Sequence, residues 1–211
     1  MTRDPGGAGR DHGAGPEPFI CQISSRVVYR NRWMTVREDE IERPDGSRGV
    51  FGVVDKPDFG LVVPAEDGGF HLVEEFRYPI GRRTWSFPQG TLPGLRNPDP
   101  EHLARTELAE ETGLRAGKLE HLGFLHGAHG MSGQGFHAWL ATGLIRGEPS
   151  REHEEQDMRC RWVPRGDFER MIRGQQITDD ATVAAYALLL LHEAERPQAD
   201  TPIDPGSAAV G

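Results

Sequence analysis

The most informative stretch of the chain is DPEHLARTELAEETGL, residues 99–114. Asp99 can cap a helix N-terminus, Pro100 suits the first helical position, and Gly113 suits the left-handed residue that follows a helix. The stretch therefore predicts a short helix between Pro98 and Gly113, the most clearly bounded helix in the sequence.

Three carboxylates share one side of this predicted helix. Glu107 lies three residues before Glu110 and four before Glu111, and side chains at these spacings are neighbours on a helix surface. Each like-charge pair costs a helix about 0.2 to 0.5 kcal/mol, and Arg115, the one cation placed to offset the cluster, follows the helix end. A hard divalent cation such as Mg²⁺ or Mn²⁺ would neutralise the cluster. The alternative is an ordinary solvated helix face.

The residues around the helix resemble the Nudix hydrolase family. That family's signature is a strand, a Gly-led loop and a helix reading Arg-Glu-apolar-x-Glu-Glu-x-Gly-apolar. WSFPQG (85–90) supplies the strand and a leading Gly90, and residues 107–114 match the last eight helical positions. Three segments outside the signature resemble the branch that includes ADP-ribose pyrophosphatases: LVEEFRYPIGRRTWSFPQG, EHEEQDMRCRWVP and GQQITDDATVAAYALLLL. In all, the likeness covers roughly residues 23 to 193.

The resemblance implies a fold and a reaction. The fold class is expected to be α/β (α+β): a mixed β-sheet sandwiched between helices, with an N-terminal antiparallel β region that pairs subunits into a homodimer. The reaction is expected to be Mg²⁺-dependent hydrolysis, with Mn²⁺ as a substitute, of the diphosphate linkage in ADP-ribose or a sugar nucleotide. Its products would be a nucleoside monophosphate and a phosphorylated remainder.

The resemblance also assigns a metal site. Glu107, Glu110, Glu111 and Gly90 are the expected metal ligands, and Glu110 and Glu111 are expected to act in catalysis. Gly90 is further expected to border the substrate.

Two more roles follow from the resemblance at other positions. Arg77 is expected to bind the substrate diphosphate, with an ordinary strand-end cation as the alternative. The catalytic base is expected in the acidic loop before RCRWVP, with Glu155 as first choice over Glu152 and Glu154. A solvated charge run is the alternative for that loop.

Two residues depart from the family pattern. Thr106 stands where the family has an arginine before the first helical glutamate, and Arg96 stands where an acidic residue is expected after Gly90. The missing arginine normally orients a metal-binding glutamate, a task that affects affinity or rate by about 10- to 100-fold. We therefore expect metal binding to survive better than turnover.

The rest of the chain divides by composition. The expected parts are a flexible tail (1–18), an N-terminal β region for dimerisation (19–60), the Nudix domain (61–195) and a second flexible tail (196–211). Two further helices are expected at 167–173 and 180–195. The second is expected to pack through an apolar face of Val183, Ala184, Ala187, Leu188 and Leu191.

Composition narrows the choice of partners. With 33 acidic and 24 basic residues the formal net charge is −9, which disfavours nucleic acid as a partner and favours a small nucleotide substrate. No apolar stretch reaches membrane-spanning length, so we expect a cytoplasmic protein without a membrane partner. Cys21 and Cys160 are expected to be reduced, buried thiols.

Two other functions stay open. Thr106 and Arg96 favour a catalytically attenuated nucleotide-binding or sensor domain, whereas FPQG (87–90) resembles dinucleoside-polyphosphate and cap hydrolases. The histidines 126, 129 and 137 invite a metal-site hypothesis, but their spacing matches no zinc pattern and ordinary loop histidines are expected. Trp85 and Phe87 are expected to be core residues more than base-stacking platforms.

Overall fold

The computed structural model describes residues 19–91, 99–150 and 157–195, and the chain divides into two compact units between Asp55 and Lys56. Several predicted features lie outside the described residues: the tails 1–18 and 196–211, Arg96, Glu152, Glu154 and Glu155.

The first unit contains a three-stranded antiparallel sheet in the order β1-β2-β3. Its strands are β1 (Cys21–Arg30), β2 (Thr35–Glu42) and β3 (Arg48–Asp55). The turn between β2 and β3 follows local chemistry, since Ser47 N–H donates to Asp45 Oδ1 at 2.9 Å and Gly46 has φ 79°. All ten residues of β1 are exposed.

The second unit contains a seven-stranded mixed sheet. Its strands are β4 (Phe59–Glu66), β5 (Gly69–Arg77), β6 (Arg82–Ser86), β7 (Gln89–Gly90), β8 (Leu114–His126), β9 (Gly135–Arg146) and β10 (Arg159–Pro164). The main order is β10-β5-β4-β9-β8, with β6 beside β5 and β7 beside β4. β4 and β9 run parallel, and the other pairs are antiparallel.

The described residues of this unit form three helices, α1 (Pro100–Thr112), α2 (Arg165–Arg173) and α3 (Asp180–Glu195), and one 3₁₀ turn at Tyr78–Ile80. The ends of α1 follow the predicted chemistry. The Asp99 side chain accepts hydrogen bonds from the N–H groups of Glu101 and His102, and Gly113 follows the helix with φ 73°. These contacts satisfy backbone groups that a helix end leaves unpaired.

Helices cover both faces of the sheet. In β4, Leu61 and Val63 join the core under α2 and α3, whereas Val62 packs on the other face with Ala104 and Leu108 of α1. A strand buried on both faces reads as a continuous apolar run, which is the pattern of GLVVP. The predicted mixed sheet between helices is confirmed.

The predicted apolar face of α3 is only partly correct. Ala184 and Leu188 pack against the core, but Val183, Ala187 and Leu191 are exposed. The buried residues are Ala181, Thr182, Ala185, Tyr186 and Leu189. Four consecutive leucines, 188–191, surround the helix with apolar side chains, so sequence periodicity does not single out the packing face.

The two cysteines are also placed differently from expectation. Cys21 lies on β1 and Cys160 on the edge strand β10, and both are exposed. Within the described ranges, no helix has both the length and the apolar character needed to cross a bilayer.

Candidate metal centre

The backbone of α1 lies close to the backbone of the sheet. A Cβ atom at Gly60 of β4 would lie 3.2 Å from the backbone nitrogen of Ala104, so the close approach of helix and strand depends on a residue without a side chain. Across the sheet, Gly60 pairs with Gly90 of β7. This pairing brings the leading glycine of the predicted loop beside the helix.

The Glu107 carboxylate lies directly against Gly90. A Cβ atom at Gly90 would lie 2.8 Å from Glu107 Cδ and closer still to Oε2, distances that real Cβ atoms essentially never show. Glycine at position 90 therefore leaves the space that this carboxylate occupies.

The Glu111 carboxylate is hydrogen-bonded by Gln89, the residue before Gly90 in β7. The backbone N–H of Gln89 donates to Glu111 Oε2 at 3.2 Å. Glu107 and Glu111 are only 5% and 3% exposed, whereas Glu110 is partly exposed. Buried carboxylates are stabilised by hydrogen bonds, by cations or by a bound metal, and a divalent cation would suit this pair.

The donor set fits a hard divalent cation. Two carboxylates on one helix, held with little exposure against strand backbone, provide the oxygen ligands that Mg²⁺ prefers. Among the residues that the structure describes, no three His, Cys, Asp or Glu side chains already form a group that could hold a metal ion. Glu107, Glu110, Glu111 and Gly90 therefore stay a predicted ligand set, supported by the buried pair.

The helix positions before Glu107 do not replace the missing family arginine. The Thr106 hydroxyl donates to the backbone oxygen of His102 at 3.0 Å, within its own helix. Arg105 donates to Glu101 Oε1 at 2.8 and 3.0 Å and to the Ala116 oxygen at 3.1 Å. Arg105 is thus used on the outer side of α1, away from the glutamate cluster.

Arg77 lies at the end of β5, on the face that α1 covers. Phe70 and Leu72 point into the core under α2 and α3, so the alternation of a strand places Val73, Glu75 and Arg77 on the opposite face. Arg77 forms an ion pair with Glu75 at 2.6 Å. Arg77 thus lies on the same face as α1, as the predicted diphosphate contact requires, but its guanidinium is paired with Glu75.

Arg83 has a structural role. It pairs with Glu74 at 3.0 Å and with Asp157, and it donates to the backbone oxygens of both residues at 2.9 Å. The Asp157 carboxylate is the main cause of its raised pKa, followed by Glu74. Arg83 therefore fastens β6 to the residue that follows the acidic loop.

The sequence did not single out Gln89, Asp179 or Thr182 as parts of the site. Gln89 Nε2 donates to Asp179 Oδ2 at 3.0 Å, and the Phe87 N–H donates to the Thr182 hydroxyl at 3.0 Å. Asp179 gave a local signal as a capping residue before α3, but the Gln89–Asp179 and Phe87–Thr182 bonds join residues 90 and 95 positions apart.

Among the histidines singled out in the sequence, His137 lies on β9 and contacts His121 and Phe124 of β8. His121 Nε2 and His137 Nδ1 lie 3.0 Å apart, and Phe124 contacts His137. Burial, and then the nearby charge of His121, lower the pKa of His137.

Phe87, expected in the core, is fully buried and stacks on Phe168 with ring centroids 5.0 Å apart.

Two family models match the chain in succession. Residues 22–54 match the nucleoside diphosphate sugar hydrolase N-terminal domain, and residues 55–200 match the NUDIX domain. The first match covers the three-stranded unit, and the second covers the mixed sheet with its carboxylate helix.

Curated relatives and a solved structure agree with these matches. An ADP-ribose pyrophosphatase of Mycobacterium tuberculosis is 33% identical over 171 residues, covering 79% of this chain and 81% of the relative. An ADP-ribose pyrophosphatase of Bacillus subtilis is 27% identical over 178 residues, covering 83% and 95%. The crystal structure of an ADP compounds hydrolase shares the fold with a TM-score of 0.74 and 20% identity, covering 87% of this chain and 100% of that one.

The family models and the curated relatives identify a class of metal-using hydrolase of nucleoside diphosphate derivatives, in agreement with the sequence expectation. The chain belongs to the Nudix hydrolase family.

Proposed function

We propose that the chain hydrolyses the diphosphate linkage of ADP-ribose or a related sugar nucleotide, with Mg²⁺ as its metal and Mn²⁺ as a substitute. The products are a nucleoside monophosphate and a phosphorylated remainder. One observation carries the proposal: two nearly unexposed glutamates, Glu107 and Glu111, lie against the Gln89–Gly90 strand. The two ADP-ribose pyrophosphatases among the relatives favour this substrate class.

The residues of α1 have separate tasks in the proposed site. Glu107, Glu110, Glu111 and Gly90 would hold the metal, and the missing side chain of Gly90 leaves room for the Glu107 carboxylate. When bound, the metal supplies a polarised phosphorus and a water of lowered pKa. Gln89 orients Glu111 through its backbone N–H, which lowers the freedom of that ligand before the substrate arrives.

The remaining groups act on substrate and water. Arg77 binds the diphosphate with its guanidinium, exchanging its Glu75 partner for phosphate oxygens. Glu155 accepts a proton from the attacking water. Glu110 and Glu111 also act in catalysis. The water oxygen bonds to one phosphorus, and the bridging oxygen leaves with the other phosphoryl group.

One observation favours a slow version of this enzyme. Thr106 bonds its own helix and Arg105 pairs with Glu101, so neither residue orients Glu107 as the family arginine does. The proposed enzyme therefore keeps its metal ligands and loses part of its turnover. This is the attenuated alternative to an efficient hydrolase.

The proposal is tested by hydrolysis assays with a substrate panel. The panel contains ADP-ribose, sugar nucleotides, dinucleoside polyphosphates and capped RNA, each with Mg²⁺, with Mn²⁺ and with a chelator. The Glu110→Gln, Glu111→Gln double variant should lose activity by about 100-fold or more. Glu101→Gln, on the exposed side of the same helix and paired with Arg105, is the matched control and should keep it.

Equal rates for the double variant and the wild type would refute the assignment of the site. Metal binding without measurable hydrolysis of any substrate would favour the sensor alternative. A preference for capped RNA or a dinucleoside polyphosphate would favour the other hydrolase class.

The same proposal includes a homodimer in the cytoplasm. The apolar side chains of Ile23, Val27 and Tyr29 on β1 are 43 to 52% exposed, and apolar groups collected on an edge strand favour a partner surface. A second copy of the chain is the proposed partner. The matched control for a test is Val183, an exposed valine on α3.

Light scattering after size-exclusion chromatography measures this assembly directly. Val27→Lys should shift the protein from dimer to monomer, because a charge would be buried at the interface. Val183→Lys should leave the mass unchanged. A wild-type mass equal to one chain would contradict the dimer.

A further inference from the structure

We propose that Asp179 is a positioning residue for the metal site, acting through Gln89 from the start of α3. The inference rests on the proposed function, because it concerns how the glutamate ligands are held. The sequence predicts α3 only as a packing helix. In this proposal the start of α3 also helps to position the glutamate ligands of α1.

The FPQG segment, residues 87–90, is held from three sides. On the sheet side, the Val62 N–H of β4 donates to the Pro88 oxygen at 3.0 Å. On the α1 side, the Gln89 N–H donates to Glu111 at 3.2 Å. The third side is α3, which contributes two side chains.

Both α3 side chains come from one helical turn. Asp179 directly precedes the helix, and its Oδ2 accepts from the Thr182 N–H at 2.8 Å and from Gln89 Nε2 at 3.0 Å. The fully buried Thr182 hydroxyl accepts from the Phe87 N–H at 3.0 Å. The turn that caps the helix therefore also fixes two residues of the FPQG segment.

Gln89 links α1 to the start of α3. Its backbone N–H contacts Glu111 of α1, and its side chain contacts Asp179 before α3. A shift of the Gln89 backbone moves a donor that contacts Glu111, and the adjacent Gly90 limits the position of Glu107. Since hydrogen bonds to an ionised acceptor are the stronger kind, the Asp179 carboxylate suits this holding role.

The structural alternative is that Asp179 only caps α3. Gln89→Met separates the two roles, because it removes the amide donor and leaves the Asp179 to Thr182 bond in place. Asp179→Asn retains an oxygen acceptor for both donors and is the conservative variant. Asp180→Ala is the matched control, since Asp180 is an exposed acid at the same helix end and its side chain accepts from the Ala181 N–H.

The test measures Mn²⁺ binding by electron paramagnetic resonance, together with melting temperature and the Mg²⁺ dependence of kcat and KM. Gln89→Met and Asp179→Ala should each weaken Mn²⁺ binding about tenfold, the lower end for partners of metal ligands. The double variant should be no weaker than either single variant. Asp179→Asn and Asp180→Ala should stay within about twofold of the wild type.

Wild-type Mn²⁺ affinity in Gln89→Met would overturn the positioning role, as would losses that multiply in the double variant. The Gln89→Met result decides the matter even if Asp179→Ala does not fold. A wild-type chain that binds no Mn²⁺ would overturn the proposed function, and the positioning role with it.

Discussion

Adding one methyl group at Gly90 should disable the site with little effect on the fold. In Gly90→Ala the new Cβ would lie 2.8 Å from Glu107 Cδ, and ordinary contacts begin at 3.4 Å. The nearer carboxylate oxygen makes the required retreat about 1 Å once normal packing is restored. Glu107 is 5% exposed, so its carboxylate has little open space into which to move.

The expected magnitudes differ for activity and stability. A displacement of about 1 Å in a catalytic site can cost about 100-fold in rate, so kcat/KM should fall by about that factor. The displaced group is the end of a flexible side chain, so overpacking should cost only about 1 kcal/mol. For a chain of this size that lowers the melting temperature by about 2 to 4 °C.

The assay compares hydrolysis of ADP-ribose, Mg²⁺ dependence and thermal melting in wild type and variant. Gly166→Ala is the matched control, because its Cβ would meet Arg170 at an ordinary 3.7 Å on α2. A second background, Glu107→Asp, withdraws the carboxylate by one methylene group. There the Gly90→Ala change should cost much less than it does in the wild type.

Wild-type kcat/KM in Gly90→Ala would refute the argument that Glu107 fills the space above Gly90. Equal costs of Gly90→Ala in both backgrounds would also refute it, because the two residues would then act independently.

Three further predictions concern single side chains. Thr106→Arg should raise kcat by about tenfold at saturating Mg²⁺, and an unchanged kcat would mean that turnover does not depend on this position. Burial and the hydrogen bond to Glu169 raise the pKa of Tyr186 from 10.0 to about 12. The stability gained from neutral Tyr186 should therefore be complete below pH 10 and lost as the pH rises through 12; urea unfolding of Tyr186→Phe should show a pH profile without this loss. Burial and His121 lower the pKa of His137, so the folded state should lose stability as the pH falls below about 6.5, and urea unfolding of His137→Gln should show a shallower decline.

Local chemistry in the sequence was enough to place α1. Asp99, Pro100 and Gly113 each act on neighbouring backbone, and the helix runs from Pro100 to Thr112 between them. The spacing of the glutamates also predicted that Glu107 and Glu111 share a side. Both features depend on residues within four positions of each other, which is the range over which helical geometry determines contacts.

Long-range contacts explain what the sequence could not show. The bond between Gln89 and Asp179 joins residues 90 positions apart, and no local pattern specifies it. The packing face of α3 was predicted only in part, because the helix is apolar on several sides and only the shape of the core selects Ala185 and Leu189. The bond from Arg105 to the Ala116 oxygen likewise depends on where β8 runs, whereas the Arg105 pair with Glu101 follows from helical i,i+4 spacing.

Gly60 and Gly90, paired across β4 and β7, form a floor without side chains beneath α1. The proposed glutamate ligands therefore all come from the thirteen residues of one helix, and the two glycines add no side chain to them. That helix has its own start and stop signals at Asp99 and Gly113. We therefore expect that exchanging residues 99–113 as one block with the corresponding residues of a relative transfers that relative's metal preference to this chain without changing its strands.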